Sequence, residues 1–193
     1  MAIYTSNYLK DLSQRKTALF SKQILNESKK IHTSFDIFLS HSFLDKDVVE
    51  GLYIELKNLG YTVYVDWIID PELNRNNVTK GTATLVRNRL KSSTTLLLAV
   101  SVNSAISKWV PWELGLVDGS TQKCAIIPVS KSAPAPNSYI GMEYLTLYPF
   151  IKKVSTTKSR ERLFVIEAPL KYIIFDEWLI PGKQPKTQTI NIY

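Results

Sequence analysis

The stretch that decides the fold is Thr94-Thr95-Leu96-Leu97-Leu98-Ala99-Val100, followed closely by Ser104-Ala105-Ile106-Ser107-Lys108-Trp109-Val110-Pro111-Trp112-Glu113-Leu114-Gly115. An unbroken apolar run of this kind is typical of a strand buried on both faces of a parallel sheet. The second segment opens a helix, predicted over Trp109–Val117, in which Pro111 is tolerated because it falls in the first turn. Trp109 and Glu113 are four residues apart, so this helix is expected to present the indole and the carboxylate on one face.

Strand and helix patterns alternate on both sides of this unit. Apolar runs bounded by turn residues predict five main strands: Phe35–Ser40, Tyr61–Val65, Thr94–Ser101, Cys124–Val129 and Arg162–Glu167. Two further segments are interpreted as a candidate edge strand, Tyr144–Phe150, and a closing helix, Lys171–Leu179. The alternation predicts an open parallel α/β sheet with right-handed crossovers and helices on both faces.

This pattern divides the chain into three regions. Residues 35–180 form the predicted α/β domain, and residues 181–193 form a C-terminal tail that is expected to fray. Residues 1–34 are predicted to form an N-terminal helical arm and linker, with one helix over 6–30 that Ser6 caps. The apolar stripe of that helix is sparse, which indicates packing against the main domain or a second subunit.

The charge of the chain is concentrated in the N-terminal arm. Residues 1–34 hold six basic and two acidic residues, which is +4 of the net charge of +7. No aromatic residues are interleaved with these charges in the pattern of a nucleic-acid site. We interpret them as a solvated helix face and do not expect nucleic acid as a partner.

Composition excludes several classes of site. The 193 residues include one cysteine and two histidines, too few for an internal disulfide or a metal cluster. We find no secretory signal, and no apolar run approaches the ~20 residues of a membrane helix. We therefore expect a soluble, cytoplasmic protein with no metal and no membrane contact. No GxGxxG or Walker-type loop occurs, so conventional dinucleotide and nucleoside-triphosphate sites are not expected.

Polar and aromatic side chains follow three of the predicted strands. Ligands of parallel α/β sheets bind beyond the carboxyl ends of the strands, so these side chains are expected to line one crevice that could hold a base, a ribose and a diphosphate. The candidate substrate-binding residues are Ser42, Phe43, Asp66, Trp67, Ser104 and Trp109. Glu113 is the candidate catalytic residue. Structural alternatives exist: Glu113 could be a solvated helix acid, Ser42 could cap a helix, Asp66 could begin a turn, and the rings could belong to the core.

These residues carry a family resemblance. Phe35-Asp36-Ile37-Phe38-Leu39-Ser40-His41-Ser42 resembles the first box of the Toll/interleukin-1 receptor (TIR) domain, and Gly60-Tyr61-Thr62-Val63-Tyr64-Val65-Asp66 resembles its second strand. Ser104–Gly115 resembles the TIR helix with the Trp-x-x-x-Glu signature. Over residues 35–180 the chain looks most like small stand-alone bacterial members, such as the TIR subunit of Thoeris antiphage systems. The loop after Trp67 is longer and richer in Asn than the animal pattern, so adaptor contacts are not carried over.

The resemblance implies a fold and an activity. The fold is a flavodoxin-like open sheet of five parallel strands, and the activity is cleavage of NAD+ at the nicotinamide–ribose bond, with Glu113 at the catalytic position. NAD+ is then a substrate, and no cofactor is expected. The implied product is ADP-ribose or a cyclic ADP-ribose-type signalling nucleotide that acts on a separate effector protein in antiphage defence. TIR–TIR self-association is the other contact that the resemblance implies.

The chemistry of NAD+ agrees with one catalytic acid. Nicotinamide leaves as a neutral base, so its departure needs no general acid. The ribosyl group becomes oxocarbenium-like in the transition state, and a nearby carboxylate stabilises that positive charge. Glu113 is sufficient for this role.

Two alternative functions stay open at this point. The first is a non-enzymatic TIR scaffold that acts through TIR–TIR contacts. The second is an enzyme resembling nucleoside deoxyribosyltransferases, which have a similar sheet and a catalytic glutamate but would ignore NAD+. The pairing of Trp109 with Glu113 favours an enzyme, because a scaffold has no chemical need for that acid.

Overall fold

The sheet at the centre of the protein is built from short, strongly apolar strands. The structure is a computed structural model that describes residues 4–15, 26, 34–75, 77–101, 103–104, 107–130, 143–156 and 159–189. Its strands are β1 (Tyr4–Thr5), β2 (Phe35–Ser40), β3 (Val63–Tyr64), β4 (Ser93–Val100), β5 (Cys124–Ser130), β6 (Phe150–Thr156), β7 (Ser159–Ala168), β8 (Lys171–Ile174) and β9 (Lys186–Thr187).

The helices lie between these strands along the chain. They are α1 (Ser6–Gln14), α2 (Lys46–Asn58), α3 (Asp66–Ile69), α4 (Lys80–Lys91), α5 (Val110–Asp118) and α6 (Phe175–Trp178). Phe43–Asp45 and Glu143–Leu147 form 3₁₀ turns. None of the helices in the described ranges has the length and apolar character needed to cross a bilayer.

The strand order is that of an open α/β sheet with an antiparallel extension. Across the described residues the order is β3-β2-β4-β5-β6-β7-β8-β9, with β1 beside β5. The pairs from β3 to β6 are parallel, and the pairs from β6 to β9 are antiparallel. Strand β4 is buried at every position from Thr95 to Val100, which requires cover on both faces of the sheet. The predicted α/β class is confirmed.

The C-terminal third corrects the predicted elements. The fifth parallel strand is β6, whereas the predicted Arg162–Glu167 lies inside the antiparallel strand β7. The predicted edge strand Tyr144–Phe150 is mostly the 3₁₀ turn Glu143–Leu147. The predicted helix Lys171–Leu179 is strand β8 followed by the single-turn helix α6.

A tight turn between β7 and β8 explains why Lys171–Ile174 is a strand and not the start of a helix. Ala168 pairs with Lys171, so only two residues connect the strands, and such short connections join antiparallel strands. Strand β9 then pairs with β8. The described part of the predicted tail therefore adds a short edge strand and does not simply fray.

The N-terminal arm packs on the domain. Strand β1 pairs in parallel with the end of β5, and Leu9 of α1 is completely buried. Helix α1 crosses α2 at Gly51, where a Cβ atom would overlap the backbone carbonyl of Leu9. Thr5 caps the helix, since its Oγ1 accepts a hydrogen bond from Tyr8 N at 3.3 Å, so the prediction of Ser6 as cap was wrong. Residues 16–25 and 27–33 of the predicted helix and linker lie outside the described residues.

Candidate active site

The candidate site lies at the carboxyl edge of the parallel strands, as predicted. Ser40 ends β2, Asp66 follows β3, and the N-terminal turn of α5 carries Glu113. The first turn of α5 contains Pro111, and Glu113 N donates to Trp109 O at 2.9 Å. These groups are spread over more than seventy residues of sequence, and the sheet brings them together.

Glu113 is the most buried acid of this cluster. Its residue exposure is 0%, and each carboxylate oxygen has a partner. Ser40 Oγ donates to Glu113 Oε2 at 2.6 Å, while Arg75 Nη1 forms an ion pair with Oε1. The interpretation of Glu113 as a solvated helix acid is therefore wrong, because a fully buried carboxylate is retained only with strong partners.

Asp66 shares Arg75 with Glu113. Arg75 Nε lies in ion-pair contact with Asp66 Oδ2, although no oxygen lies in line with its N–H bond. Asp66 Oδ1 accepts a hydrogen bond from Trp67 N at 2.8 Å and lies 3.6 Å from His41 Nε2. One guanidinium therefore bridges two buried carboxylates.

The electrostatics of this cluster follow from that bridge. Burial alone raises the pKa of the Asp66 carboxyl, but His41, Arg75 and the Trp67 N–H outweigh burial and hold that pKa at about 2. Burial lowers the pKa of Arg75, and the charges of Glu113 and Asp66 outweigh it, so the net shift is upward. Arg75 thus carries its positive charge between the two acids.

Trp109 is tied to the same arginine. Its Nε1 donates to the backbone oxygen of Arg75 at 2.8 Å, and the Arg75 guanidinium lies 5.6 Å from the ring centroid. Trp112 contacts Trp109 edge to face at 5.6 Å, and Arg87 lies 5.7 Å from the Trp112 ring. Trp109 is half-buried, and Arg75 links it to Glu113 because the guanidinium contacts both side chains.

Trp67 stands at the rim of the site. His41 meets its ring edge to face at 4.6 Å, and Lys46 Nζ lies 5.9 Å from the ring centroid. The ring is half-buried and packs against the core. A contact between Trp67 and substrate stays a prediction.

The structure places the remaining candidates in the segments that follow β2 and β4. Ser104 Oγ accepts from Ser101 N at 3.0 Å and donates to Ala99 O at 3.2 Å, which closes the loop after β4. Ser42 is buried and precedes the 3₁₀ turn, but its side chain makes no cap hydrogen bond. Phe43 begins that turn, and its side chain lies outside the described part of the structure. Their roles toward a ligand stay predictions.

Sequence reasoning missed Arg75. This arginine is the one basic residue of the loop 70–79, between Asn74 and Asn76. The available signal was a single basic residue in the loop that follows Asp66, but the local sequence did not show that its side chain would reach Glu113. The base of the loop is held by Asp70, which accepts from Tyr64 Oη at 2.9 Å and from Arg89 at 2.8 and 2.6 Å.

A second missed cluster joins the loops after β2 and β4. Asp45 Oδ1 accepts from Asn103 Nδ2 at 2.7 Å, and Asp45 Oδ2 accepts from Ser101 Oγ. Asn103 N also donates to Ser101 Oγ at 3.0 Å. This cluster ties the segment after β2, close to Ser42 in the chain, to the segment after β4.

Fold and site together define a mostly parallel α/β protein with a buried acid and an aromatic ring at the carboxyl edge of its sheet. The TIR domain signature matches residues 37–162 of the chain. The chain belongs to the TIR domain family, and the flavodoxin-like fold predicted from the sequence agrees with that membership.

Two named relatives refine the comparison. The chain is 42% identical over 191 residues to the "Probable 3' cyclic ADP-D-ribose synthase ThsB'" of Bacillus cereus (strain MSX-D12), an alignment that covers 93% of this chain and 98% of the relative. It is 30% identical over 89 residues to the "Putative cyclic ADP-D-ribose synthase TIR2" of Cytobacillus dafuensis, with 46% of this chain and 23% of that protein covered. The first similarity runs through nearly the whole of both chains.

Proposed function

We propose that this protein cleaves the bond between nicotinamide and ribose in NAD+ and forms a cyclic ADP-ribose. The observation that carries this proposal is Glu113 beside Trp109 at the carboxyl edge of a TIR sheet. The end-to-end similarity to a protein named as a 3' cyclic ADP-D-ribose synthase supports a cyclic product. Neither the scaffold nor the deoxyribosyltransferase alternative gains support from the described contacts.

Glu113 supplies the negative charge that the reaction needs. The bond between the ribosyl C1 atom and the nicotinamide nitrogen breaks with its electron pair passing to the nitrogen, which leaves neutral nicotinamide and an oxocarbenium-like ribosyl group. A carboxylate in a water-poor site stabilises this cation more strongly than it would in water. Ser40 holds Glu113 Oε2 at 2.6 Å and fixes the orientation of the carboxylate.

The second step decides the product. In the cyclising reaction a hydroxyl of the adenosine ribose attacks the ribosyl C1 atom and gives up its proton, and the name of the relative favours the 3' hydroxyl. Attack by water yields linear ADP-ribose instead. Half-buried Trp109 and Trp67 are suited to hold the flat rings of the dinucleotide so that the hydroxyl arrives before water.

We extend the proposal to the partners of the reaction. The cyclic product would act on a separate effector protein in antiphage defence, as the resemblance to the Thoeris TIR subunit implies. TIR–TIR self-association is a second proposed contact. Both follow from the family resemblance and require binding experiments of their own.

The decisive experiment is incubation of the purified protein with NAD+ and separation of the products by mass. The cyclic nucleotide is lighter than ADP-ribose by one water molecule, so the two outcomes are distinct. We expect Glu113→Gln to lower nicotinamide release by at least ~10²-fold, because it removes the charge that stabilises the cation.

The matched control is Glu72→Gln, an exposed acid in the loop that follows α3. It makes the same chemical change away from Glu113 and should retain the activity. Full activity of a folded Glu113→Gln variant would reject the catalytic assignment, and intact NAD+ in every sample would reject the proposed function.

A further inference from the structure

Glu113 has no free surface or free oxygen in this structure. Its exposure is 0%, Oε2 accepts from Ser40, and Oε1 is paired with Arg75. A ribosyl cation cannot approach this carboxylate, because Ser40 occupies one of its oxygens and the Arg75 guanidinium the other. The positive charge of Arg75 also opposes the positive charge that develops on the sugar. The arrangement described here is therefore one in which Glu113 is held out of use.

To expose Glu113, the Arg75 guanidinium has to move, whereas the backbone of the loop around it can stay in place. The loop is tied at one end by Asp70 to Arg89 and Tyr64. At the other end Thr82 Oγ1 donates to Asn77 O at 3.1 Å. Arg75 lies between these anchors, and its side chain is 12% exposed, so one side of it faces solvent.

A guanidinium that leaves two carboxylates needs another anion to replace them. Removing one partner of a buried ion pair is costly, because the remaining charge is left without compensation. A diphosphate presents several oxygens in the fork geometry that arginine binds best. The substrate of the proposed function carries such a diphosphate between its two riboses.

We propose that Arg75 is a specificity-determining residue: it covers Glu113 until the diphosphate of a dinucleotide binds the guanidinium and draws it away. This inference rests on the proposed function. Arg75 would then confine cleavage to nicotinamide glycosides that carry a diphosphate, because a nucleoside has no phosphate oxygens to bind the guanidinium.

The test compares NAD+ with nicotinamide riboside, which has the same scissile bond but no phosphate. We expect the ratio of kcat/KM for NAD+ to that for nicotinamide riboside to fall at least tenfold in Arg75→Gln, with riboside cleavage rising. Arg87→Gln is the matched control, because Arg87 stacks on Trp112 as Arg75 stacks on Trp109 but does not pair with Glu113. It should leave the ratio unchanged.

Other kinetic outcomes overturn the inference. If Arg75→Gln lowers both kcat/KM values equally, Arg75 serves to position Glu113 and does not select substrates. An unchanged ratio in a folded variant rejects the inference as well. If Arg75→Gln does not fold, Arg75→Lys replaces it because it keeps the positive charge. The ammonium group can pair with Glu113 but lacks the two-pronged geometry of the guanidinium. The ratio of the two kcat/KM values should therefore fall by an intermediate amount.

A binding readout separates this inference from the proposed function. The protein has four tryptophans, so an NMR spectrum of the ¹⁵N-labelled protein shows four indole N–H signals, and Trp109→Phe identifies the one bonded to Arg75. Inorganic pyrophosphate should shift the Trp109 signal in the unmodified protein and in Arg87→Gln but not in Arg75→Gln. A shift without cleavage of NAD+ rejects the proposed function and leaves the exchange at Arg75 standing. No shift in the unmodified protein rejects the exchange, whatever the turnover.

Discussion

At the residue scale, Trp109 connects the chemistry of Glu113 to the loop that covers it. Its Nε1 bond and its ring contact both involve Arg75, so the indole face that Arg75 covers becomes available to a ligand only when the guanidinium leaves. The residue is half-buried, which suits a side chain with a packing edge and a binding face.

We expect Trp109→Ala to lower kcat/KM for NAD+ by ~1–3 kcal/mol of transition-state binding, because the substrate loses a flat surface beside Glu113. Trp109→Phe keeps a ring and loses the Nε1 bond, so most activity should remain. Thermal melting measured beside the kinetics identifies a purely structural role. That role would appear as an unfolded Ala variant together with a Phe variant unchanged in melting and in turnover.

At the element scale, helices α1 and α2 approach each other at Gly51 with no room for a side chain. The first atom of any side chain there would overlap the Leu9 carbonyl, which is backbone and cannot rotate away. The close approach is what buries Leu9 completely. Gly51 therefore decides how the N-terminal arm docks.

We expect Gly51→Ala to destabilise the protein by ~1–3 kcal/mol, since the two helix backbones must separate. Gly115→Ala is the control: it lies in α5 with nothing within 4 Å of its added Cβ. Alanine is the better helix former there, so that variant should melt at the same or a higher temperature. Equal melting of the two variants would mean that α1 does not hold this position in solution.

The predicted elements differ in accuracy for physical reasons. Strands β2, β4 and β5 were recognisable because each is a continuous apolar run between turn residues, a pattern set by burial on both faces. Strand β8 was mistaken for a helix, because Lys171-Tyr172-Ile173-Ile174 is too short for its periodicity to decide. Its pairing with β7 depends on a turn at Pro169 and Leu170 that local propensity did not reveal.

At the scale of the whole molecule, the ion network joins parts that are far apart in the chain. Asp66, Arg75 and Glu113 connect α3, the following loop and α5, and Ser40 adds β2. The sequence placed Glu113 and Asp66 at one edge of the sheet, since parallel strands end together. It could not show that Arg75 bridges them, because a loop conformation depends on the partners that the complete fold provides.

This network makes stability depend on pH in the acid range. The pKa of Asp66 falls from 3.8 to about 2 on folding, so its contribution is fully present above pH ~4 and is lost as the pH falls through ~2. The shift corresponds to about 2 kcal/mol. Comparison of unfolding free energies for the unmodified protein and Asp66→Asn should therefore show a difference that shrinks between pH 4 and pH 2. A difference independent of pH would show that the Asp66 charge does not stabilise the fold.

The pairing of β1 with β5 has a consequence for synthesis on the ribosome. Thr5 pairs with Ser130, so strand β1 leaves the ribosome more than a hundred residues ahead of the strand with which it pairs. At ordinary rates of translation this delay is on the order of ten seconds. Helix α1 has its partner α2 much sooner, and docking at Gly51 keeps Tyr4 and Thr5 close to the nascent domain until β5 emerges. Pairing of the N-terminal arm with the sheet is thus a late step in the folding of this protein during its synthesis.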